Sequence, residues 1–365
     1  MDPHMNGNNK IRVLVVDDSA VIRQLLSEII NAQPDMEVVG TASDPYIARE
    51  KIKTLTPDVL TLDVEMPRMD GITFLRNLMR LRPMPVIMIS TLTEAGAAIT
   101  LEALDIGAFD FLPKPRDNLG KGLVEYQEEI ANKIRAAARA NLTQLEKRSE
   151  RASHKPLVKP ATRSAEYVPR AGALIAIGAS TGGTEAIKEV LMRLPANCPP
   201  VVVTQHIPAQ FSLSYAMRMD SLCSMNVHEA SNGQKLLPGN VYIAPGDFHL
   251  TLRRTREDVV IVLSDAEKVN RHRPSVDVMF DSIVQLEWKD TVGVLLTGMG
   301  NDGALGLLKL KELGCHTIIQ DEESSVVWGM PGAAFRLDAH CEVESLEAIA
   351  GRLLGLTNRL RAAQG

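Results

Sequence analysis

Carboxylates, a hydroxyl group and a lysine stand at the ends of apolar segments in the first third of the chain. Asp17 and Asp18 end the first apolar segment, and Asp63 ends another. Ser90 and Lys114 follow two further segments of the same kind. If these segments are parallel strands, their carboxyl ends meet at one edge of a sheet, where functional residues of such sheets gather.

Three carboxylates at one place repel one another, by ~4 kcal/mol per pair at ~4 Å and an effective dielectric constant of about 20. A divalent cation such as Mg²⁺ offsets this repulsion, binds oxygen ligands and organises phosphoryl groups for transfer. A carboxylate such as Asp63 can then accept the phosphoryl group, while Lys114 and the Ser90 hydroxyl suit the phosphoryl oxygens. The pair Asp17-Asp18 taken alone would equally serve as the cap of the following helix.

A glycine-rich segment surrounds Ser180 at the point where an apolar segment passes into a helical pattern, Gly178-Ala179-Ser180-Thr181-Gly182-Gly183. Its amides could cradle a phosphate at a helix N-terminus, or the turn could present Ser180 as a nucleophile. A dinucleotide site would need the pattern G-x-G-x-x-G and an acidic residue after the next strand. The sequence has neither, since that strand ends at Gln205-His206.

His206 and Asp302 supply what a nucleophilic serine requires. A serine hydroxyl needs an adjacent general base, and the base needs a carboxylate that fixes its tautomer. Asp302 follows a third predicted strand in the segment T-G-M-G-N-D-G-A, where the backbone N–H of Met299 or of Thr181 would face a developing oxyanion. Each residue alone has an ordinary alternative, as a helix cap or a hydrogen-bonded structural group, and their joint placement at three strand ends favours catalysis. For His249 and His272, near these motifs, both a place in the cleft and a packing role stay open.

Strand and helix patterns alternate along the chain and predict two doubly wound α/β domains with parallel sheets. In the first, strands are predicted at 11–16, 59–62, 86–89 and 109–112, and helices from 21 and around 45–54, 71–81, 95–105 and 122–140. In the second, strands at 173–177, 201–204, 292–296 and 316–319 alternate with helices at 182–194, 211–221, 275–286, 304–313 and 344–361. A hairpin-like β insertion is predicted over 240–264.

The charge of the chain changes along its length. Residues 1–130 carry 13 basic and 20 acidic side chains, residues 131–170 carry 10 and 3, and residues 171–365 carry 17 and 22. The middle segment contains Pro156, Pro160 and Pro169 and has few large apolar residues after Leu145, which is typical of a helix tail followed by a solvated linker. We therefore predict domains at 10–130 and 171–365, joined by 131–170.

Composition excludes several classes of protein. A net charge of −5 argues against a nucleic-acid-binding protein, which needs a basic surface. No uncharged apolar run of about 18 residues occurs, so membrane insertion is not expected. The N-terminus has no apolar signal core, and the four cysteines form no C-x-x-C motif. These observations favour a cytoplasmic protein with reduced thiols.

Residues 10–130 resemble a response-regulator receiver domain, which has a flavodoxin-like fold. The resemblance rests on V-V-D-D-S, L-D-V-E-M-P-R-M-D-G, M-I-S-T and L-P-K-P, in the order of that family. It implies that Asp63 is the phosphoacceptor and that Ser90, Lys114 and the aromatic Phe111 are switch residues. It also implies a Mg²⁺ site formed by Asp17, Asp18, Asp63 and the backbone carbonyl of Glu65.

Residues 171–355 resemble the catalytic domain of chemotaxis methylesterases, the CheB family. The matching segments are I-G-A-S-T-G-G-T-E-A, Q-H-I-P, Y-I-A-P-G-D-F-H-L, R-P-S-V-D-V-M-F and L-L-T-G-M-G-N-D-G-A. The resemblance implies a Rossmann-like domain without a cofactor, with Ser180, His206 and Asp302 as its catalytic triad. Met299 would belong to the oxyanion site, for which Thr181 is the second candidate.

The two resemblances together imply a phosphorylation-activated protein-glutamate methylesterase that also deamidates glutamine. Its substrates would be methyl-accepting chemoreceptors, and its phosphodonor a chemotaxis histidine kinase. A DNA-binding response regulator is disfavoured, because the second domain is acidic and much larger than a helix-turn-helix module. A non-catalytic regulator that binds receptors under control of phosphorylation is the alternative that the sequence leaves open.

Overall fold

The computed structural model describes residues 10–91, 93–115, 123–139 and 167–359. The chain divides into two units, Met1–Lys155 and Pro156–Gly365. Most of the predicted linker, residues 140–166, lies outside the described residues. Among the helices that the structure describes, none combines the length and the apolar character needed to span a bilayer.

The first unit contains one sheet of five parallel strands in the order β2-β1-β3-β4-β5. The strands are β1 (Ile11–Val16), β2 (Met36–Ala42), β3 (Val59–Asp63), β4 (Val86–Ser90) and β5 (Asp110–Pro113). The helices are α1 (Ala20–Asn31), α2 (Pro45–Leu55), α3 (Gly71–Leu81), α4 (Glu94–Ile106) and α5 (Leu123–Arg139). This is the predicted alternation, and it brings the carboxyl ends of β1, β3, β4 and β5 to one edge.

One feature of the first unit differs from the expectation, and another agrees with it. Strand β2 was not predicted, because it lies at the sheet edge and its five central residues are only partly buried, so the alternation of apolar and polar residues is weak. Helix α5 continues to Arg139 with Ile130 and Ile134 fully buried. Helix α5 therefore matches the helix predicted around 122–140, and its last turns are the predicted helix tail beyond residue 130.

The second unit contains one sheet of seven parallel strands in the order β14-β13-β12-β6-β7-β9-β8. Its strands are β6 (Leu174–Ala179), β7 (Val201–Gln205), β8 (Asn226–Glu229), β9 (Asn240–Ile243), β12 (Thr291–Leu295), β13 (His316–Gln320) and β14 (Glu342–Glu344). The antiparallel pair β10 (His249–Arg254) and β11 (Val259–Ser264) is separate from this sheet. The helices are α6 (Gly183–Leu191), α7 (Ala209–Leu222), α8 (Val276–Gln285), α9 (Ala304–Leu313), α10 (Met330–Arg336) and α11 (Leu346–Thr357).

The predicted β insertion is smaller than residues 240–264. Strand β9 belongs to the main sheet, where Val201 to Val203 of β7 pair with Val241 to Ile243, and only β10 and β11 form the hairpin. Strands β8 and β14 and helix α10 were not predicted, because segments of four, three and seven residues are too short for a clear periodicity.

Glycine permits a close approach where β6 ends. Gly178 packs against the side chains of Val276 and Leu295, and a Cβ atom at this position would stand 2.2 Å from Val276 Cγ1. Adjacent strands β6 and β12 and helix α8 can therefore pack without a gap at the point where Ser180 leaves the sheet. The site described below depends on this packing.

We expect Gly178→Ala to lower the free energy of unfolding of the second unit by about 1–3 kcal/mol, because the added methyl group overpacks this contact. The two tryptophans, Trp288 and Trp328, both lie in this unit, so urea unfolding followed by tryptophan fluorescence measures it.

Gly351→Ala is the matched control. Gly351 is exposed in α11 and a Cβ atom there would meet nothing within 4 Å, so alanine should stabilise the helix by roughly 0.5–1 kcal/mol. Equal effects of the two substitutions would show that the packing at Gly178 is looser than described.

Candidate active site

Three neighbouring strands position the candidate triad. Strand β6 lies between β7 and β12, and Ser180 and His206 are the first residues after β6 and β7. Asp302 lies in the loop between β12 and α9, just before the helix begins at Ala304. The structure therefore places the three residues at one edge of the sheet, where the sequence predicted them to meet.

The three side chains form a continuous chain of hydrogen-bonding atoms. His206 Nδ1 lies 3.1 Å from Ser180 Oγ, and His206 Nε2 lies 2.8 Å from Asp302 Oδ2. An ionised carboxylate only accepts, so Nε2 carries the hydrogen that is donated to Asp302. Nδ1 is then the acceptor for the Ser180 hydroxyl, which is the arrangement that a general base requires.

Asp302 is a buried carboxylate that stays ionised. Burial alone raises the pKa of this carboxyl group, but hydrogen bonds from His206, Asn270 and the Val276 backbone reverse the shift and hold the pKa well below its usual value. Asn270 Nδ2 donates to Oδ1 over 2.8 Å, and the Val276 N–H donates to Oδ2 over 2.7 Å. The hydroxyl group of Ser275 also donates to Oδ1, over 2.7 Å.

Several of these supporting residues escaped the sequence prediction. Ser275 precedes α8 and lies in the quoted segment R-P-S-V, which gave no reason to connect it with Asp302. Asn270 lies in a turn with no sequence signal of its own. Gln205, predicted only as a strand end, donates from Nε2 to the carbonyl oxygens of Ser180 and His206 over 2.9 and 3.0 Å. A serine before a helix, such as Ser275, is a signal for a helix cap, but no sequence pattern indicates that its hydroxyl group also contacts Asp302.

The structure gives different roles to His249 and His272, the two histidines whose role the sequence left open. His272 stacks on the ring of His206, with 3.6 Å between the centroids and 13° between the planes. His249 is buried, and its Nδ1 accepts from the Ser275 N–H over 3.2 Å while Nε2 faces the carbonyl oxygen of Glu267. His272 therefore contacts the triad directly, whereas His249 supports it through Ser275.

Two backbone amides remain available beside Ser180. The N–H of Ser180 itself donates to the Thr297 carbonyl over 3.0 Å. Within the part of the chain that the structure describes, the N–H groups of Thr181 and Met299 make no hydrogen bond. Glycine at position 298 lets the loop that contains Met299 approach Ser180 closely, since a Cβ atom on Gly298 would stand 2.8 Å from Ser180 Cβ. The two N–H groups predicted for an oxyanion site therefore lack a backbone acceptor in the described part of the chain.

The first unit holds a second cluster of functional groups. Carboxylate oxygens of Asp17, Asp18 and Asp63 lie within 4.8 Å of one another, with Asp17 and Asp63 fully buried and Asp18 exposed. Lys114 Nζ lies 2.7 Å from Asp63 Oδ2 and 3.1 Å from Asp17 Oδ2. The structure therefore brings together the acidic residues and the lysine that the sequence predicted.

Lys114 compensates this cluster only in part. Burial raises the pKa of Asp63 to about 6, although hydrogen bonding to Lys114 opposes the shift. Burial also raises the pKa of Asp17, and the contact of its Oδ2 with Lys114 opposes this shift only in part. Burial lowers the pKa of Lys114, but its contacts with Asp63 and Asp17 raise it by more. Three carboxylates with one cation fit a hard divalent ion, which takes oxygen ligands.

The other predicted residues of the first unit lie around this cluster. The Glu65 N–H donates to Asp63 Oδ1 over 3.2 Å, and the Glu65 side chain is exposed. Ser90 is buried at the end of β4, with Oγ 3.3 and 3.4 Å from the carbonyl oxygens of Thr91 and Gly96. Phe111 is buried in β5, where Lys133 Nζ lies 5.8 Å from the centroid of its ring.

The raised pKa of Asp63 predicts a pH-dependent gain from neutralising it. A folded-state pKa of about 6 against an ordinary value of 3.8 means that ionisation of Asp63 destabilises the fold fully above pH ~6 and not at all below pH ~4. We expect Asp63→Asn, without added divalent metal, to stabilise the first unit by about 1–3 kcal/mol at pH 8. This gain should shrink as the pH falls from ~6 towards ~4.

Hydrogen exchange of peptides from β1, β3 and β4, followed by mass spectrometry, measures the stability of this unit. Glu28→Gln, on the exposed face of α1, is the control and should leave the protection unchanged. A gain for Asp63→Asn that is the same at pH ~8 and pH ~4 would contradict an origin in charge burial.

Comparison with known proteins agrees with both halves of the architecture. The sequence profile of the CheB methylesterase family matches residues 175–353, and that of the response regulator receiver domain matches residues 13–121. The protein-glutamate methylesterase/protein-glutamine glutaminase of Hydrogenovibrio crunogenus is 52% identical, over 96% of this chain and 100% of that protein. The protein of the same name from Escherichia coli K12 is 51% identical, over 95% of this chain and 97% of that protein.

A solved structure matches the second unit. The crystal structure of the Thermotoga maritima CheB methylesterase catalytic domain is 40% identical to this chain and superposes with a TM-score of 0.50. It covers 51% of this chain and 99% of that domain. The chain therefore belongs to the CheB methylesterase family, with a response-regulator receiver domain ahead of its methylesterase domain.

Proposed function

We propose that this protein is a protein-glutamate methylesterase that also deamidates glutamine, and that phosphorylation of Asp63 raises its activity. The observation that carries the proposal is the chain of contacts from Ser180 Oγ through His206 to Asp302, at 3.1 and 2.8 Å. The names of the relatives, with half of all residues identical over nearly the full length, support the substrate class. Without them, this triad would indicate only an acyl hydrolase.

In the first half of the reaction, Ser180 Oγ attacks the carbonyl carbon of the methyl ester while His206 Nδ1 accepts the hydroxyl proton. The tetrahedral oxyanion faces the N–H groups of Thr181 and Met299, and each such donor is worth roughly 10²–10³ in rate. His206 then donates its proton to the departing methoxy oxygen. Methanol leaves, and the glutamyl group stays on Ser180 as an ester.

In the second half, His206 Nδ1 accepts a proton from a water molecule, which attacks the glutamyl ester. The proton then passes to Ser180 Oγ, and glutamate is released. With a glutamine side chain, the first step releases ammonia instead of methanol. Throughout, Asp302 stays ionised and stabilises the imidazolium form of His206, consistent with the pKa of Asp302 being held low.

Family membership supports the finer assignments. We infer that the substrates are methyl-accepting chemoreceptors, that a chemotaxis histidine kinase supplies the phosphoryl group, and that the reaction takes place in the cytoplasm. We assign no cofactor to the methylesterase domain. The non-catalytic alternative shares the receiver domain and the receptors, and differs in predicting that Ser180 has no nucleophilic role.

In the receiver domain, Asp63 would accept the phosphoryl group and Lys114 would bind one of its oxygens. Asp17, Asp18, Asp63 and the carbonyl group of Glu65 would hold Mg²⁺, which when bound offsets the carboxylate repulsion and orients phosphoryl oxygens. Ser90 and Phe111 lie on the neighbouring strands β4 and β5, where they would respond to the phosphoryl group. Activation requires that phosphorylation stabilise the active arrangement of the chain more than the inactive one.

Replacement of the nucleophile tests the esterase. We expect Ser180→Ala to reduce methanol release from methylated receptor membranes by on the order of 10⁴-fold or more, because no other group supplies the attacking oxygen. Ser221→Ala is the matched control, since Ser221 is exposed at the end of α7 and its loss should leave the rate unchanged.

A serine-directed fluorophosphonate should label the wild-type protein and the Ser221→Ala control, but not Ser180→Ala. A folded Ser180→Ala protein with wild-type release would rule out this mechanism. Absence of both release and labelling in the wild type would favour the non-catalytic alternative.

Replacement of the phosphoacceptor tests the regulation. We expect Mg²⁺ together with a small acyl phosphate to increase methanol release by the wild type and to leave Asp63→Ala at its basal rate, because alanine cannot form the acyl phosphate. Initial rates with and without the phosphodonor measure the difference. Equal stimulation of the two proteins would remove Asp63 from the proposal and leave the esterase intact.

A further inference from the structure

A two-residue turn lies against the triad and takes part in none of the proton transfers of the mechanism above. The N–H of Val269 donates to the His272 carbonyl over 3.1 Å, and the N–H of His272 donates to the Val269 carbonyl over 2.9 Å. The residues between them, Asn270 and Arg271, have φ values of 51° and 69°. Both lie in the left-handed region, which is the conformation of a type I′ turn.

Asn270, the first residue of this turn, contacts the carboxylate of the triad. Asn270 Nδ2 donates to Asp302 Oδ1 over 2.8 Å and to Asp277 Oδ2 over 2.7 Å. Both carboxylates are buried, so one amide group holds together two groups of like charge. Because an amide NH₂ has two hydrogens, these contacts use its full donor capacity and fix the position of Oδ1.

His272, which follows the two turn residues, packs against the general base His206. The ring of His272 lies 3.6 Å from that of His206 and is almost parallel to it. Rotation of His206 about its Cβ–Cγ bond would break its contacts with Ser180 and Asp302 together. A parallel ring at van der Waals distance resists that rotation and keeps water from one face of the imidazole.

We propose that the turn from Val269 to His272 is a positioning device for the triad, in which Asn270 orients Asp302 and His272 holds the plane of His206. This inference rests on the proposed function of Ser180, His206 and Asp302. Asn270 and His272 act through their neighbours, so they are positioning residues rather than catalytic ones.

The exposure of the turn distinguishes positioning from packing. Val269, Asn270 and Arg271 are exposed, so the turn buries little apolar area and contributes little to the core. Asn270 and His272 nevertheless contact two adjacent members of the triad, Asp302 and His206. Substitutions that keep the backbone of the turn should therefore leave the second unit folded while they reduce turnover.

Asn270→Gly removes the amide group while keeping a residue that adopts positive φ without strain. We expect kcat for methanol release to fall by roughly ten- to a hundredfold, as for a modest misplacement of a reacting group, with KM changed by less than about twofold. Arg271→Gly is the matched control in the same turn, with the same backbone requirement, and should retain the wild-type kcat.

His272→Ala removes the stacked ring, and His272→Phe restores a ring without nitrogen atoms. We expect a kcat loss of roughly tenfold or more for alanine and at least partial rescue by phenylalanine, because the proposed role needs a flat ring and no proton. A double-mutant cycle of Asn270→Gly with His272→Ala should be non-additive, since both act on one hydrogen-bonded unit. Thermal unfolding of each variant establishes that the second unit is folded.

Nuclear magnetic resonance of the full chain, labelled at histidine, tests the same contacts without using activity. The His206 ring protons, assigned with a His206→Gln variant, should shift in His272→Ala as the ring current of His272 is lost, and should return towards the wild type in His272→Phe. Asn270→Gly should weaken the signature of the hydrogen bond from His206 Nε2 to Asp302. Unchanged resonances or a wild-type kcat in both Asn270→Gly and His272→Ala would overturn the inference.

The design separates this inference from the proposed function. If the wild-type protein released no methanol and the fluorophosphonate did not label Ser180, the esterase proposal would fail. The resonance shifts would still test whether His272 holds the ring of His206. If the wild type were active and all turn variants matched it in rate and resonances, only the positioning role would fail.

Discussion

The structure of the second unit depends on keeping Asp302 ionised in a place from which water is excluded. A buried carboxylate is costly unless it is paired and hydrogen-bonded, and Asp302 is 1% exposed. Donors reach it from β7 through His206, from the start of α8 through Ser275 and Val276, and from the turn that contains Asn270. The carboxylate therefore connects elements that are distant in sequence, and it orients the ring of His206 beside Ser180.

In the receiver domain, too, burial and hydrogen bonding shift the pKa of a carboxyl group in opposite directions, but there burial has the larger effect. Asp63 and Asp17 are as deeply buried as Asp302, yet Lys114 is the cation that contacts them both. Burial consequently raises the pKa of Asp63, whereas hydrogen bonds lower that of Asp302. The under-compensated carboxylate has the charge that a divalent ion would offset, while the fully compensated one is a fixed charge. Two buried aspartates in one chain are thus suited to different chemistry by the number of their donors.

The sequence was sufficient for the residues at strand ends. In parallel sheets the strand order brings those ends together, so Ser180 with His206 and Asp63 with Lys114 could be predicted from position. Asn270 could not, because its role depends on two left-handed residues and on a side chain that reaches a carboxylate 32 residues away. Strand β9 was assigned to the hairpin, since a sequence pattern does not show which neighbour a strand pairs with. The edge strands β2, β8 and β14 were missed because they are short or only partly buried.

The placement of the triad across β6, β7 and β12 also has a consequence for the newly made chain. Ser180 and His206 are 26 residues apart, but His206 and Asp302 are separated by 96, so the second contact closes a much longer loop. Such non-local contacts form late, after the entropy of loop closure has been overcome. During synthesis Ser180 emerges well before the carboxylate that orients its base, and it remains an ordinary hydroxyl until β12 joins the sheet. Ser180 therefore acquires the full set of contacts described here only when the central strands of the sheet have assembled.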